Sequence, residues 1–75
     1  MTTKNEQKLF KALGGRIAQL RKEKGLSQEK LSERTGLDRV AIGYIEQGRR
    51  HPTVSTLFKI ANGLEIKLED LVKGF

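Results

Sequence analysis

Side chains that could do chemistry are concentrated in one short stretch, residues 38–51. Those carrying a carboxylate, guanidinium, phenol or imidazole there are Asp38, Arg39, Tyr44, Glu46, Arg49, Arg50 and His51. Guanidinium groups bond guanine edges and phosphate oxygens in pairs, and apolar or aromatic groups contact the thymine methyl. Catalysis would need a second positioned carboxylate, a Cys–His pair or a phosphate-cradling glycine loop, and none accompanies Glu46 or His51. The residue types therefore favour binding over catalysis.

Helical geometry sorts residues 39–47 into two faces. At about 100° per residue, Ala41, Ile42 and Ile45 cluster on one side, where we expect them to pack on the core. The residues on the opposite side are Arg39, Val40, Gly43, Tyr44 and Gln47. A solvated face would carry Lys, Glu and Gln. This face instead suits a surface that reads base edges, or alternatively one that contacts another protein.

Two capped helices around a glycine are predicted to hold this face. Ser27 and Asp38 are good N-caps, and Gly36 suits the left-handed conformation that ends a helix. The pairs spaced as hydrophobic staples across these caps are Leu26 with Leu31 and Leu37 with Ile42. The stretch 27–48 is therefore predicted to be helix, sharp turn, helix, with Ser32 small enough for close approach of the second helix.

A longer helix is predicted before this motif. Thr3 and Glu6 have capping-box spacing, and cations with Gly25 mark the end of the helix. Its apolar stripe is formed by Leu9, Leu13, Ile17 and Leu20. The Gly14–Gly15 pair interrupts the stripe, which indicates close packing of another helix, a bend, or a looser N-terminal extension over residues 1–8.

Two shorter helices are predicted after the motif. Pro52 ends any continuation of the preceding helix, Thr53 caps the next one, and Asn62–Gly63 ends it. Its buried stripe is Leu57, Ile60, Ala61 and Leu64. A last helix spans Leu68 to Lys73. No segment has strand periodicity, so residues 1–75 are predicted to form one all-α domain of five helices.

Composition narrows the class of partner. The 75 residues carry a formal net charge of +6 and no cysteine, so a polyanion is the expected partner, nucleic acid first and an anionic membrane surface second. A single histidine and no cysteine argue against a metal site, and nothing indicates a cofactor or a small-molecule ligand. No apolar run approaches the roughly 20 residues that span a bilayer, and the N-terminus has no hydrophobic signal core. We therefore expect a cytoplasmic protein.

The motif resembles that of the lambda-repressor and Cro-like (XRE) transcriptional regulators. Its elements are L-S-Q-x-x-L, a glycine in the turn, I-x-x-I-E-x-G, a basic loop and a proline before the fourth helix, and the resemblance covers about residues 15–72. It implies the lambda-repressor-like fold and sequence-specific binding of double-stranded DNA. Leu-Asp-Arg at the start of the third helix, in so short a chain, is similar in particular to restriction–modification controller proteins, which are small dimeric regulators.

The resemblance also assigns site residues. It implies base reading in the major groove by Asp38, Arg39, Val40, Gly43 and Tyr44. It implies phosphate contacts by Gln28, Gln47, Arg49 and Arg50. Because Val40 and Gly43 offer no hydrogen bond, we expect fewer bases to be read directly. Glu46 lies where the helix dipole disfavours an anion, and the family pairs it with an arginine at the position of Arg21, which we interpret as a structural ion pair.

We expect a homodimer on a two-fold symmetric operator, since one module reads few base pairs. The candidate dimer surface is the C-terminal apolar set Ile66, Leu68, Leu71, Val72 and Phe75. Leu68 and Leu71 are equally well explained as core. The alternative function is an antitoxin-type module that binds a toxin and its own promoter, and another is a domain used only for protein contacts.

Overall fold

Five helices account for the architecture of residues 3–75, which are the residues that the computed structural model describes. The helices are α1 (Lys4–Glu23), α2 (Gln28–Thr35), α3 (Arg39–Glu46), α4 (Val54–Gly63) and α5 (Leu68–Leu71). No strand occurs among these residues, so the all-α prediction is confirmed. None of these helices is long and apolar enough to cross a membrane.

The predicted caps set the beginnings of the first four helices. Thr3 and Glu6 form a capping box on α1. The hydroxyl groups of Ser27 and Thr53 accept hydrogen bonds from backbone N–H groups in the first turns of α2 and α4, at 3.0 and 3.1 Å. The Asp38 carboxylate accepts one from Val40 at 3.4 Å. Each cap satisfies a donor that the helix itself leaves unpaired.

The core is a single cluster to which every helix contributes. Its buried apolar members are Leu13, Ile17, Leu31, Ile42, Ile45, Ile60, Ala61, Leu64 and Leu71. The predicted core face of α3 is confirmed for Ile42 and Ile45, whereas Ala41 is half-buried. Leu71 is fully buried, so its assignment to the dimer surface is wrong. Arg16 on α1 donates to the carbonyl oxygens of Leu71 and Asp70 at 3.0 and 2.8 Å, and these bonds attach the short α5 to α1.

The two central glycines of α1 have different surroundings. The helix runs through Gly14 and Gly15 without interruption. A Cβ on Gly14 would lie 2.6 Å from the carbonyl oxygen of Glu46 and closer still to that of Ile45. A Cβ on Gly15 would meet nothing within 4 Å. Close packing of α3 against a bare backbone therefore explains Gly14 and not Gly15.

The end of α4 is where expected, but its cause differs. Gly63 lies inside the helix, and a Cβ there would be 2.6 Å from Thr35 Cγ2, so this glycine permits close approach to α2. The left-handed residue is Glu65, with φ of 60°. Its position lets the Ile66 N–H donate to the Ala61 carbonyl oxygen at 3.0 Å and close the helix end.

At the C-terminal end of the chain, the last helix is shorter than predicted. The last helix stops at Leu71 rather than continuing to Lys73. At the other end, residues 1 and 2 of the expected extension lie outside the described residues, and residues 4–8 are the first turns of α1. That residues 1–8 are more loosely attached stays a prediction.

Candidate nucleic-acid interface

The turn between α2 and α3 fixes the direction of α3. Gly36 ends α2 with φ of 75°, as predicted. The Ser32 hydroxyl donates to the Leu37 carbonyl oxygen across the turn. The Thr35 hydroxyl donates to the Leu31 carbonyl oxygen at 2.8 Å and accepts from the Leu37 N–H at 3.2 Å. Ser32 is therefore more than a small residue, because its hydroxyl ties α2 to the turn that leads into α3.

A buried ion pair joins α3 to α1. Arg21 Nε donates to Glu46 Oε2 at 2.7 Å, and Arg21 Nη2 donates to Glu46 Oε1 at 3.0 Å. The two side chains are only 10% and 6% exposed. Arg21 Nη1 donates to the Leu26 carbonyl oxygen at 2.8 Å. The expected pair is thus present in bidentate form, and a further donor of Arg21 is bonded to the chain just past the end of α1.

Arg21 is charged at neutral pH, and the ion pair with Glu46 favours this charged form further. The hydrogen bonds that Arg21 donates to Glu46 raise the pKa of the guanidinium above its ordinary value, although burial acts in the opposite direction. A raised pKa means that the contribution of Arg21 to folding is present below the unfolded-state pKa and is lost only as pH rises through the folded-state value. The brace between α1 and α3 is therefore insensitive to the protonation of Arg21 near pH 7.

Gln28 connects this ion pair to the exposed face of α3. Its Nε2 donates to Glu46 Oε1 at 2.9 Å, and its Oε1 accepts from Arg39 Nη1 at 3.4 Å. Gln28 is half-buried at the first position of α2. Arg39 is exposed at the start of α3. The carboxylate therefore orients the amide, and the amide in turn touches the guanidinium predicted to read bases.

The outward face of α3 is open and only partly polar. Val40 is 48% exposed, Gly43 and Tyr44 are half-buried, and Gln47 is exposed. A shallow depression of about 180 Å³ lies on this face, lined by Gln28, Arg39, Val40, Gly43, Tyr44 and Gln47. The structure thus brings together all the residues that helical geometry assigned to one side, and it adds Gln28 from α2.

The cationic loop folds back against the same face. The Cζ atoms of Arg49 and Arg50 lie 5.9 and 5.1 Å from the centroid of the Tyr44 ring. Gly48 has φ of 75°, and a Cβ there would be 2.7 Å from the Lys11 Cα. The loop is therefore pressed onto α1 at one glycine, and both arginines lie beside the α3 face. Farther along, His51 stacks on Phe10 with ring centroids 4.2 Å apart.

Sequence reasoning missed two exposed apolar residues. Val54 and Phe58 are 70% and 53% exposed on α4, and their i, i+4 spacing places them side by side. Both fall outside the stripe of α4 that is predicted to be buried, and this position could have indicated that they are exposed. Of the C-terminal apolar set, Ile66, Leu68 and Val72 are half-buried against the core, and Phe75 is 51% exposed. Within residues 3–75, no three His, Cys, Asp or Glu side chains cluster as metal ligands would.

Helices α2 and α3 are joined by a glycine turn, and an ion pair holds α3 against α1. The other face of α3 is exposed and flanked by arginines. This arrangement defines a helix-turn-helix domain. The chain belongs to the helix-turn-helix family of transcriptional regulators, whose pattern matches residues 17–71. The resemblance to XRE-type regulators is thereby confirmed.

Proteins of similar sequence are also HTH-type transcriptional regulators by name. The chain is 42% identical over 62 residues to the HTH-type transcriptional regulator y4dJ of Sinorhizobium fredii, a match that spans 83% of this chain and 80% of that protein. It is 36% identical over 66 residues to the HTH-type transcriptional regulator SutR of Escherichia coli. That match spans 88% of this chain and 37% of SutR, so some relatives are considerably longer.

Solved structures confirm the likeness to restriction–modification controller proteins. The controller protein C.AhdI from Aeromonas hydrophila is 41% identical, with a TM-score of 0.80 over 85% of this chain and 96% of that one. The controller protein C.Esp1396I, solved as a tetramer with its natural 35-base-pair operator, is 36% identical. Its TM-score is 0.78, and the match covers 87% of this chain and 91% of that one.

Proposed function

We propose that this protein is a sequence-specific regulator that binds double-stranded DNA with α3 in the major groove. The observation that carries the proposal is the continuity of the open α3 face with the cationic loop. The face offers Arg39 for bidentate contact with a guanine and Val40 for contact with a thymine methyl. Arg49 and Arg50 lie at its border, where a groove-bound helix meets phosphates. The bound DNA of the C.Esp1396I structure, a protein of the same family, supports this choice of partner.

We propose further that the protein acts as a homodimer on a two-fold symmetric operator. One module of this size presents few groups to base edges, whereas two copies would place their α3 helices in successive major grooves about 34 Å apart. In the predicted C-terminal set, exposed Phe75 stays the main candidate for the surface between copies, and the fully buried Leu71 is removed. The half-buried Ile66, Leu68 and Val72 stay in the set as its border. Exposed Val54 and Phe58 on α4 join it.

Salt dependence of DNA binding tests the proposal. With about six phosphate contacts per dimer, the logarithm of the association constant should fall with the logarithm of the salt concentration with a slope of about −5. The measurement is fluorescence anisotropy with a labelled duplex containing a sequence selected from a random pool. A scrambled duplex of the same length is the control and should bind at least 1,000-fold more weakly, in the range usual for specific regulators. Binding that stays flat between low and moderate salt would contradict the proposal and favour a module for protein contacts.

A further inference from the structure

Tyr44 contacts the cationic loop in two ways. Its ring lies beneath two guanidinium groups, with the Cζ atoms of Arg50 and Arg49 at 5.1 and 5.9 Å from the centroid. Its carbonyl oxygen accepts the backbone N–H of Arg49 at 2.8 Å. Residue 44 therefore holds the loop through both its backbone and its side chain.

This arrangement gathers charges that would otherwise separate. Two guanidinium groups on neighbouring residues repel each other and, in water, sample many rotamers. The negative face of an aromatic ring attracts both and restricts them to the end of α3. Gly48, pressed against Lys11, limits the backbone of the same loop. Groups ordered before binding lose less conformational entropy when they bind a ligand.

We propose that Tyr44 positions Arg49 and Arg50 for phosphate contacts and contributes to DNA affinity independently of base sequence. The inference rests on the proposed function and deepens it, because it gives Tyr44 a role different from the base reading that the family resemblance implies. Because the Tyr44 ring positions the loop arginines, discrimination between bases depends on Arg39 and its neighbours on the first turn of α3. The proposed role requires both the aromatic residue on α3 and the two arginines in the following loop.

Variants at position 44 distinguish the two roles in DNA binding. We expect Tyr44→Leu to lose about 5- to 30-fold in affinity, by the same factor on the selected operator and on a scrambled duplex, because two weak cation–π contacts are removed. Tyr44→Phe keeps the ring and should restore the affinity on both duplexes. Loss on the operator alone would overturn the proposal and identify Tyr44 as a base reader.

A combined variant guards against a general effect on folding. In the Arg49→Ala/Arg50→Ala background, adding Tyr44→Leu should cause no further loss of affinity, since the residues that Tyr44 positions are gone. A further loss there would overturn the proposal. The salt dependence should be less steep in that background, because about two phosphate contacts per subunit no longer form.

A measurement without DNA tests the contact separately from the proposed function. Tyr44 is the chain's one tyrosine, and tryptophan is absent from the sequence, so tyrosine fluorescence reports this ring alone. Acrylamide, a neutral quencher, should quench it more strongly in Arg49→Ala/Arg50→Ala than in the wild type, because the ring loses its cover. Equal quenching would overturn the positioning role even if the protein binds DNA, whereas failure of the wild type to bind DNA with increased quenching would overturn the proposed function alone.

Discussion

Arg39 and Arg49 carry the same side chain in different surroundings. Arg39 is exposed on the first turn of α3, and its guanidinium contacts the amide of Gln28 at 3.4 Å. Arg49 lies past the end of the helix, beside the Tyr44 ring. We propose that Arg39 contacts base edges and Arg49 contacts phosphates, and these two kinds of contact have different consequences for specificity.

Exchange of each arginine for alanine should separate the two roles. Arg39→Ala should cost about 1–3 kcal/mol of binding free energy on the selected operator and relax discrimination at one base position in each half-site. Arg49→Ala should weaken operator and scrambled DNA alike, because phosphate contacts carry no sequence information. Competition binding against single-base operator variants measures both effects. Equal losses on both duplexes for Arg39→Ala would contradict its role as a base reader.

Glu46 joins α3 to both of the helices that precede it. Its two carboxylate oxygens accept from Arg21 on α1, and one of them also accepts from Gln28 on α2. The group is nearly inaccessible to water, so its loss leaves a buried guanidinium without a counterion. Removal of one partner of a buried pair is far more costly than removal of one partner at the surface.

We therefore expect Glu46→Gln to lower the free energy of unfolding by roughly 3 kcal/mol. That loss is a large part of the stability available to so short a chain. Urea unfolding followed by circular dichroism measures it. The matched control is Glu65→Gln, which removes the exposed pair with Arg34 at 3.2 Å and should change the free energy of unfolding by less than about 1 kcal/mol. Similar losses in the two variants would show that the buried pair is not a special brace.

At the scale of helices, α1 and α3 approach each other through a glycine. Gly14 leaves its backbone bare where the carbonyl groups at the end of α3 come closest. Gly15, one position along, faces open space. Two adjacent glycines of one helix therefore have opposite expected responses to an added methyl group.

The pair of substitutions to alanine tests this contrast. Gly15→Ala should raise the free energy of unfolding by about 0.5–1 kcal/mol, because alanine has the better helix propensity and nothing obstructs its Cβ. Gly14→Ala should lower it by roughly 1–3 kcal/mol, because α3 must shift to admit the methyl group. Thermal unfolding of both variants gives the comparison. Stabilisation by Gly14→Ala would show that α1 and α3 are packed less closely than the structure indicates.

At the scale of the whole molecule, the C-terminal apolar residues divide into core and surface. Leu71 is completely buried, whereas Phe75 keeps 51% of its area exposed. An exposed phenylalanine near the proposed surface between copies has apolar area that only a partner would cover. The two residues should therefore affect different equilibria.

Leu71→Ala should lower the free energy of unfolding by about 2–5 kcal/mol, because it leaves a cavity in the core. Phe75→Ala should leave the unfolding of the monomer unchanged within about 0.5 kcal/mol. It should raise the dissociation constant of the dimer roughly 10-fold, as loss of an interface aromatic does. Sedimentation equilibrium measures dimerisation, and circular dichroism measures unfolding. An unchanged dissociation constant in Phe75→Ala would remove this residue from the proposed dimer surface.

Much of the fold follows from local signals. Ser27, Gly36 and Asp38 mark the limits of α2 and the start of α3, since a cap or a left-handed glycine acts within one turn of its own position. The end of α4 lies where the sequence predicts it, but a different residue causes it. Gly63 looks like a terminating residue in the sequence, but its contact with Thr35 comes from a distant helix, and Glu65 takes the left-handed conformation.

The candidate site divides in the same way. Helical periodicity alone put Arg39, Val40 and Tyr44 on one face, because angular position depends only on spacing. Two sets of contacts involve side chains from separate elements: the link from Glu46 through Gln28 to Arg39, and the cation–π contacts of the loop arginines with Tyr44. No spacing rule reports such contacts.

The sequence by itself determined the helix caps, the glycine turn, the basic charge and the residue set on the outer face of α3, because each depends on residue types a few positions apart. Only the tertiary structure decided that α3 packs closely against Gly14 and that Leu71 lies in the core. It also decided that the Tyr44 ring contacts Arg49 and Arg50. The physical reason is that packing partners are chosen in space. A short apolar helix or an exposed aromatic has the same sequence pattern whether a neighbour covers it or not.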